Sequence, residues 1–225
     1  MPHCIRVLMG SLLLGLRLAW AQSPLPEEPA PPHLPAFSLG GEVGLPFTNY
    51  RFDPADPLDI RSPYRPGFYA GVSPAWNFAP RWALRLPLGL SWEQARLDVN
   101  YGRDSLIERV AEPVYLMALP VLQWSGGPRK DPHLLLGLGA FGSLNLARAP
   151  DTLRNPKAIF PRSFDAGGQA YVGVRFPLGK DERPPFMTIK ASYRAGLGNV
   201  IRDDWPLPTV SVLSNQAWML SLIVE

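Results

Sequence analysis

The chain has 225 residues, and 46% of them are hydrophobic whereas only 18% are charged, so one barrel or one ordinary domain fits and we expect no second sizeable domain. The mean hydropathy is −0.03, and past the N-terminus no apolar run reaches the ~18 residues of a membrane helix. The formal net charge is +3 and no Lys/Arg cluster follows one face, so we expect no nucleic-acid partner.

Residues 1–21 have the three regions of a secretory signal peptide. Arg6 supplies the positive charge, residues 7–16 are an apolar stretch, and an A-x-A cleavage site ends at Ala21. A membrane anchor is the alternative, but ten residues at ~1.5 Å each cover only about half of the hydrocarbon thickness. The single cysteine, Cys4, lies in this leader, so the mature chain would have no disulfide, thiolate metal site or cysteine nucleophile.

Residues 22–35 are dense in proline, with Pro24, Pro26, Pro29, Pro31, Pro32 and Pro35. Proline at this density removes amide donors and favours the extended polyproline II conformation. We predict a spacer here, and a proline-rich ligand for a partner is the alternative.

From residue 36 onward, apolar residues alternate with small or polar ones in eight segments. These segments are residues 37–47, 68–78, 82–92, 112–124, 134–146, 164–176, 187–197 and 210–224. The connections between them are alternately long (46–66, 95–110, 147–162, 198–209) and short (79–80, 125–132, 178–184). Alternation of this kind is the plan of an outer-membrane barrel. The segments 112–124 and 210–224 are partly apolar on both faces, so the pattern does not orient them.

The third segment is the clearest, because one of its faces is a row of leucines with Trp82 and Trp92 at its two ends. Ten steps of ~3.3 Å make ~33 Å along the strand, or ~23 Å when the strand is tilted by ~45°. That height matches the apolar band between the two aromatic girdles of an outer-membrane barrel, so we assign Trp82 and Trp92 to the girdles.

These observations predict an all-β fold, an eight-stranded antiparallel up-and-down transmembrane β-barrel over residues 36–225. The apolar row faces lipid, and strand closure gives every backbone amide a partner. The alternative is a secreted, soluble β-sandwich binding protein or lipocalin-type barrel, with the apolar row inside and the charged row outside.

Charged side chains of the strands fall on the opposite row, which would line the lumen. We expect six of them to meet there as a buried ionic network: Glu42, Arg85, Glu93, Arg175, Lys190 and Arg194. Each would cost a few kcal/mol on the lipid face near the midplane, so their confinement to one row is informative.

Four stretches resemble strands of the porin-type outer-membrane β-barrel family that includes the PorT-like proteins. They are PVYLMALP (113–120), HLLLGLGA (133–140), FDAGG (164–168) with Gly173, and YRAGLGN (193–199). The resemblance covers roughly residues 36–225 and implies the fold and an outer-membrane location, but no common enzymatic activity. One departure is the end of the chain: family members usually end in an aromatic residue that the assembly machinery reads, whereas here Trp218 is the nearest aromatic to Glu225.

No pattern in the sequence predicts catalysis, a cofactor or a metal site. His33 lies in the proline-rich segment and His133 follows a short turn, away from the outer rim where a catalytic histidine would act. Asp53, Asp56 and Asp59 lack the alternating ligands and central glycine of a calcium loop. The glycines of residues 137–142 match a dinucleotide fingerprint by count, but no helix follows them.

Two functional classes remain. The chain is either a platform that presents its long loops to an unknown extracellular ligand or protein partner, or a narrow porin-like pore for small solutes. We favour the platform, because an eight-stranded lumen filled with charged side chains should conduct poorly. The other expected partners are the outer-membrane lipid bilayer and the barrel-assembly machinery.

Overall fold

A computed structural model describes residues 37–52, 59–100, 106–127, 131–146, 163–179, 185–198 and 213–225. The predicted signal peptide and proline-rich spacer lie outside these described residues. Every described residue belongs to one compact unit, Pro35–Glu225. In the described part of the chain, no helix is long and apolar enough to cross a membrane.

The described residues form fourteen β-strands. They are β1 (Phe37–Phe52), β2 (Asp59–Arg61), β3 (Arg65–Pro66), β4 (Phe68–Ala79), β5 (Trp82–Arg85), β6 (Leu88–Trp92), β7 (Ala95–Asn100), β8 (Leu106–Ala111), β9 (Val114–Ala118), β10 (Val121–Ser125), β11 (His133–Asn145), β12 (Phe164–Pro177), β13 (Phe186–Gly196) and β14 (Leu213–Val224).

Antiparallel pairing joins these strands into a closed ring. β1 pairs with β4, and β4 pairs with both β5 and β6. β5 then pairs with β10 and β6 pairs with β9. Both β10 and β9 pair with β11. β11, β12, β13 and β14 then pair in chain order, and β14 pairs back onto β1 from Gly41↔Val224 to Phe52↔Leu213. The ring confirms the eight-stranded up-and-down barrel, with β5–β6 and β9–β10 each forming one interrupted strand. A sandwich of two separate sheets is therefore wrong.

Two predicted loops contain strands instead. β1 continues past Pro46 to Phe52, where residues 46–66 were expected to form a loop. β7 and β8 form a hairpin in the predicted loop 95–110, and β2 adds to β7 to make a three-stranded sheet. The sequence of β7 alternates Arg, Asp and Asn with Leu and Val, which is an ordinary strand pattern. Of the short connections, the tight turn between Ala79 and Trp82 is fully described, whereas the other predicted connections lie partly or wholly outside the described residues.

The two segments that the sequence does not orient are oriented by the ring. Tyr115, Met117 and Leu119 point inward from the fourth segment, while Leu116 and Leu122 point outward. In β14, the inward row is Ala217, Met219, Ser221 and Ile223. These two segments are apolar on both faces because the lumen of a small barrel is itself filled by side chains.

Pro120 separates β9 from β10 and removes one donor from the wall. The Ala140 N–H donates to the Pro120 carbonyl at 3.0 Å, but Pro120 has no N–H to return to the Ala140 carbonyl. The side chain of Gln169 takes over, since its Nε2 donates to the Ala140 carbonyl at 2.9 Å. An interior amide thus replaces the missing backbone donor.

Gln169→Leu is expected to lower the free energy of unfolding by about 1–3 kcal/mol, because the Ala140 carbonyl then lacks this side-chain donor. Pro120→Ala in the same background should recover part of the loss, since alanine restores the N–H opposite Ala140. Urea unfolding of both single variants and the double variant measures the coupling. If Gln169→Leu lowers the unfolding free energy equally in the natural protein and in the Pro120→Ala variant, Gln169 does not compensate for the missing N–H of Pro120.

Gly137 makes room for an interior tyrosine. It pairs with Tyr171 across β11 and β12, and a Cβ added at Gly137 would overlap the Tyr171 ring. The ring cannot easily move, because the Tyr171 hydroxyl donates to Gln123 Oε1 at 2.6 Å. Glycine at position 137 therefore leaves the space that the Tyr171 ring occupies.

Gly137→Ala is expected to cost about 1–3 kcal/mol of unfolding free energy through overpacking. Gly168→Ala is the matched control, because a Cβ at Gly168 meets nothing within 4 Å on the outer face. Thermal unfolding of both variants tests the difference, and similar midpoints for the two would show that Tyr171 does not require glycine beneath it.

Candidate functional site

The outer face of the barrel is an exposed band of large apolar side chains. In the part of the chain that the structure describes, no charged side chain is exposed within this band. The members of the band are Leu39, Val43, Leu45, Val72, Leu84, Leu86, Leu88, Leu90, Leu116, Leu122, Leu134, Leu136, Leu138, Val172, Val174, Ile189 and Leu220. The alternative orientation, with the apolar row inside, is therefore wrong.

Aromatic side chains border this band at both ends. At the long-loop end lie Phe47, Phe68, Trp92, Phe164, Tyr193 and Trp218, which we call the loop-end belt. At the short-turn end lie Phe37, Trp76, Phe78, Trp82 and Trp124, the turn-end belt. Trp82 is 42% exposed and Trp92 is 44% exposed, on the outer face at opposite ends of the same leucine row.

Neighbouring strands hold the belt residues beside one another. Trp218 pairs with Phe47 on one side and Tyr193 on the other, and its ring lies 4.7 Å from that of Tyr193. Trp82 pairs with Trp124 across β5 and β10. The belts therefore run from strand to strand around the wall.

The inner face carries the charges. All six side chains of the expected network are buried in the lumen: Glu42, Arg85, Glu93, Arg175, Lys190 and Arg194. The six lie in two groups, one toward each end of the barrel, and each group also contains an acidic residue from outside the six.

The turn-end group contains Glu42, Arg85, Arg175, Lys190 and Glu225. Lys190 Nζ lies 2.8 Å from Glu42 Oε1. The two carboxylate oxygens of Glu225 pair separately with Arg85 Nη2 and Arg175 Nη2. Three cations thus face two carboxylates at this end of the lumen.

The loop-end group contains Glu93, Asp165 and Arg194, and each follows a residue of the loop-end belt in sequence. Arg194 Nη2 lies 2.5 Å from Glu93 Oε1, which also accepts a hydrogen bond from Ser91 Oγ at 2.9 Å. Asp165 is buried in the same half of the lumen. Two carboxylates thus face one cation here, so the excess charges of the two groups have opposite signs.

Side chains without charge occupy the rest of the lumen. Six of them form one buried cluster: Tyr69, Tyr115, Met117, Leu119, Phe141 and Met219. Arg194 and Lys190 lie over aromatic rings of the interior, at 5.8 Å from the centre of Phe141 and 5.1 Å from that of Tyr171. The interior is therefore a packed core that contains ion pairs.

Sequence reasoning missed two members of the groups. Asp165 lies on the inner row but is not among the six residues predicted for the network, and the sequence singles out Glu225 only as an ending without an aromatic. The alternation along β14 could have indicated Glu225, because it continues the row of Ser221 and Ile223. That row faces the lumen once the orientation of β14 is known. Its partners lie on β5 and β12, which only the closed ring brings together.

His133 is the single histidine among the described residues. His133 is buried at the turn end, with Nδ1 2.8 Å from the Asp131 carbonyl oxygen. His33, Asp53 and Asp56 lie outside the described residues, and the glycines at 137–142 lie within β11. Among the described residues, no group of three or more His, Cys, Asp or Glu could hold a metal ion.

No protein-family model matches this sequence, and no curated protein matches it. Among solved structures, the barrel is similar to the outer membrane protein OprG from Pseudomonas aeruginosa, with a TM-score of 0.48 and 12% identity over 84% of this chain and 92% of that one. It is also similar to Neisserial surface protein A (NspA), with a TM-score of 0.42 and 11% identity over 84% of this chain and 97% of that one.

Proposed function

We propose that this protein is an integral outer-membrane β-barrel without enzymatic activity, which presents its long loops to an extracellular ligand or protein partner. The observation that carries the membrane location is the uncharged apolar band between two aromatic belts. Soluble monomers rarely expose a contiguous apolar patch larger than a few hundred Å², whereas this arrangement is typical of barrels in lipid.

The closed ring supports the same proposal, because a bilayer offers no hydrogen-bond partners to strand edges. Export through the signal peptide of residues 1–21 and insertion by the barrel-assembly machinery would bring the chain to the bacterial outer membrane. The four stretches that resemble the PorT-like proteins overlap β9, β11, β12 and β13, and we propose membership of that porin-type family on this basis.

The packed lumen supports a platform over a pore. Glu93, Arg194 and Glu225 are each buried and ion-paired, and an open channel needs a far wider ring of ~16 strands. The barrel would therefore anchor the chain, and its rims and loops would carry the interactions.

Conductance of the purified protein in a planar lipid bilayer separates the two functions. We expect no discrete current steps from protein whose insertion is verified by heat-modifiable migration on a gel. Reproducible steps of one size would instead establish the narrow pore and overturn the platform.

A further inference from the structure

Glu225 occupies a position where two arginines converge from opposite parts of the wall. Its carboxylate pairs with Arg85 of β5 and with Arg175 of β12, one guanidinium to each oxygen. The Glu225 side chain is 4% exposed, and those of Arg85 and Arg175 are 2% and 6% exposed. Two guanidinium groups directed at one pair of oxygens are the usual means of binding a carboxylate or a phosphate.

Groups other than Glu225 hold both arginines in place. Arg85 donates from Nε to Gln123 Oε1 and from Nη1 to Ser73 Oγ, each at 3.0 Å. Arg175 lies over the ring of Phe186, with its guanidinium carbon 4.6 Å from the ring centre. The two cations are therefore positioned for an anion even where the carboxylate is not their own.

The charges around this position favour an anion. Arg85, Arg175 and Lys190 are buried together at this end of the lumen, and the Glu225 side chain is one of the two carboxylates that pair with them. Breaking a buried ion pair by removing one partner is strongly destabilising, so an anion that replaces the Glu225 carboxylate should bind there.

The backbone of Glu225 is held independently of its side chain. Its N–H donates to the Phe186 carbonyl, and its own carbonyl accepts from the Phe186 N–H, both at 2.9 Å. Rotation of the Glu225 side chain alone would therefore vacate the position without opening the β13–β14 pairing.

We propose that Arg85 and Arg175 form a binding site for a small oxyanion, a carboxylate or a phosphate, at the short-turn end of the lumen, with the Glu225 side chain as its built-in competitor. This site goes beyond the platform role, because it uses the interior and not the loops. The chain's own carboxylate would keep the site closed until an external oxyanion displaces it.

Chemical rescue tests the site in the full-length chain folded in detergent. For the natural protein, Glu225→Gln and Glu225→Ala, the temperature at which half of the protein loses its heat-modifiable migration is measured against inorganic phosphate or acetate, with chloride at equal ionic strength as reference. Glu42→Gln is the matched control, since it removes a buried carboxylate of the same group whose ion pair is with Lys190. The double variant Glu225→Gln/Arg175→Met removes half of the site.

Loss of the carboxylate should lower the midpoint by roughly 10 °C in chloride. Phosphate or acetate should raise it again in a saturable manner for the Glu225 variants. The natural protein should need about 10-fold more oxyanion or more, because its tethered carboxylate competes at high effective concentration. Rescue by acetate alone would identify a carboxylate ligand, and rescue by phosphate alone a phosphate ligand.

The proposal is overturned if neither oxyanion raises the midpoint of Glu225→Gln above its value in chloride. It is also overturned if Glu42→Gln or the double variant is rescued equally, since the two arginines would then not be the site. Should neither Glu225 variant fold even with phosphate or acetate present during refolding, the oxyanion has failed to replace the carboxylate, and the proposal fails as well. None of these outcomes bears on membrane insertion or on conductance.

Discussion

Leu88→Arg is expected to reduce strongly the yield of barrel folded into lipid vesicles. Leu88 is exposed on the outer face, near the middle of the row between Trp82 and Trp92. An arginine at the bilayer midplane costs about 2–4 kcal/mol, a large share of the stability of a small domain. Folding is measured as the fraction of heat-modifiable band after dilution from urea into vesicles.

Two controls separate charge in lipid from lost packing. Leu88→Ala shortens the same side chain without a charge and should fold nearly normally. Leu178→Arg adds the same charge at an exposed position just after β12, beyond the aromatic belt, and should also be tolerated. If Leu88→Arg folds as well as Leu178→Arg, the outer face does not contact hydrocarbon, because surface substitutions in water change stability by about 0.5 kcal/mol or less.

Arg194→Met is expected to lower the free energy of unfolding by about 3–5 kcal/mol, because it leaves the Glu93 carboxylate buried without its cation. Glu93 is 2% exposed, and its remaining hydrogen bond comes from Ser91. Asp165 in the same half of the lumen adds a second buried carboxylate. Urea unfolding in vesicles, followed by the heat-modifiable band, measures the loss.

Arg96→Met is the matched control, since Arg96 Nε also lies 2.5 Å from a carboxylate, that of Asp98, but at a partly exposed position. Its loss should be about 1 kcal/mol or less. The double variant Glu93→Gln/Arg194→Met should recover much of the stability lost in Arg194→Met, because both charges are then removed. Equal losses for Arg194→Met and Arg96→Met would show that the lumen is hydrated and its ion pairs are not buried.

The outer face of the barrel could be predicted from the sequence because the proposed contact with lipid imposes a simple rule on it. Every exposed position in the band must be apolar, so the row from Trp82 to Trp92 gives both the strand and its orientation. Because charged side chains are excluded from the outer band, those of the strands could be assigned to the inner row.

The inner face follows no such rule. Tyr115, Met117 and Leu119 point inward although they resemble lipid-facing residues, since a narrow lumen accepts any side chain that fills it. Ion pairs across the lumen could not be predicted from the sequence either. Glu225 reaches Arg85 only in the closed ring, where the stagger of the strands is fixed. The β7–β8 hairpin was missed because polar residues in a long connection were interpreted as a loop.

Cell fractionation of an expressing strain, followed by a gel of the outer-membrane fraction with and without boiling, tests membrane insertion most directly. We expect the protein in that fraction, migrating faster when unboiled and starting at residue 22 after removal of the leader. A soluble periplasmic or secreted product whose migration does not change on boiling would contradict the membrane barrel.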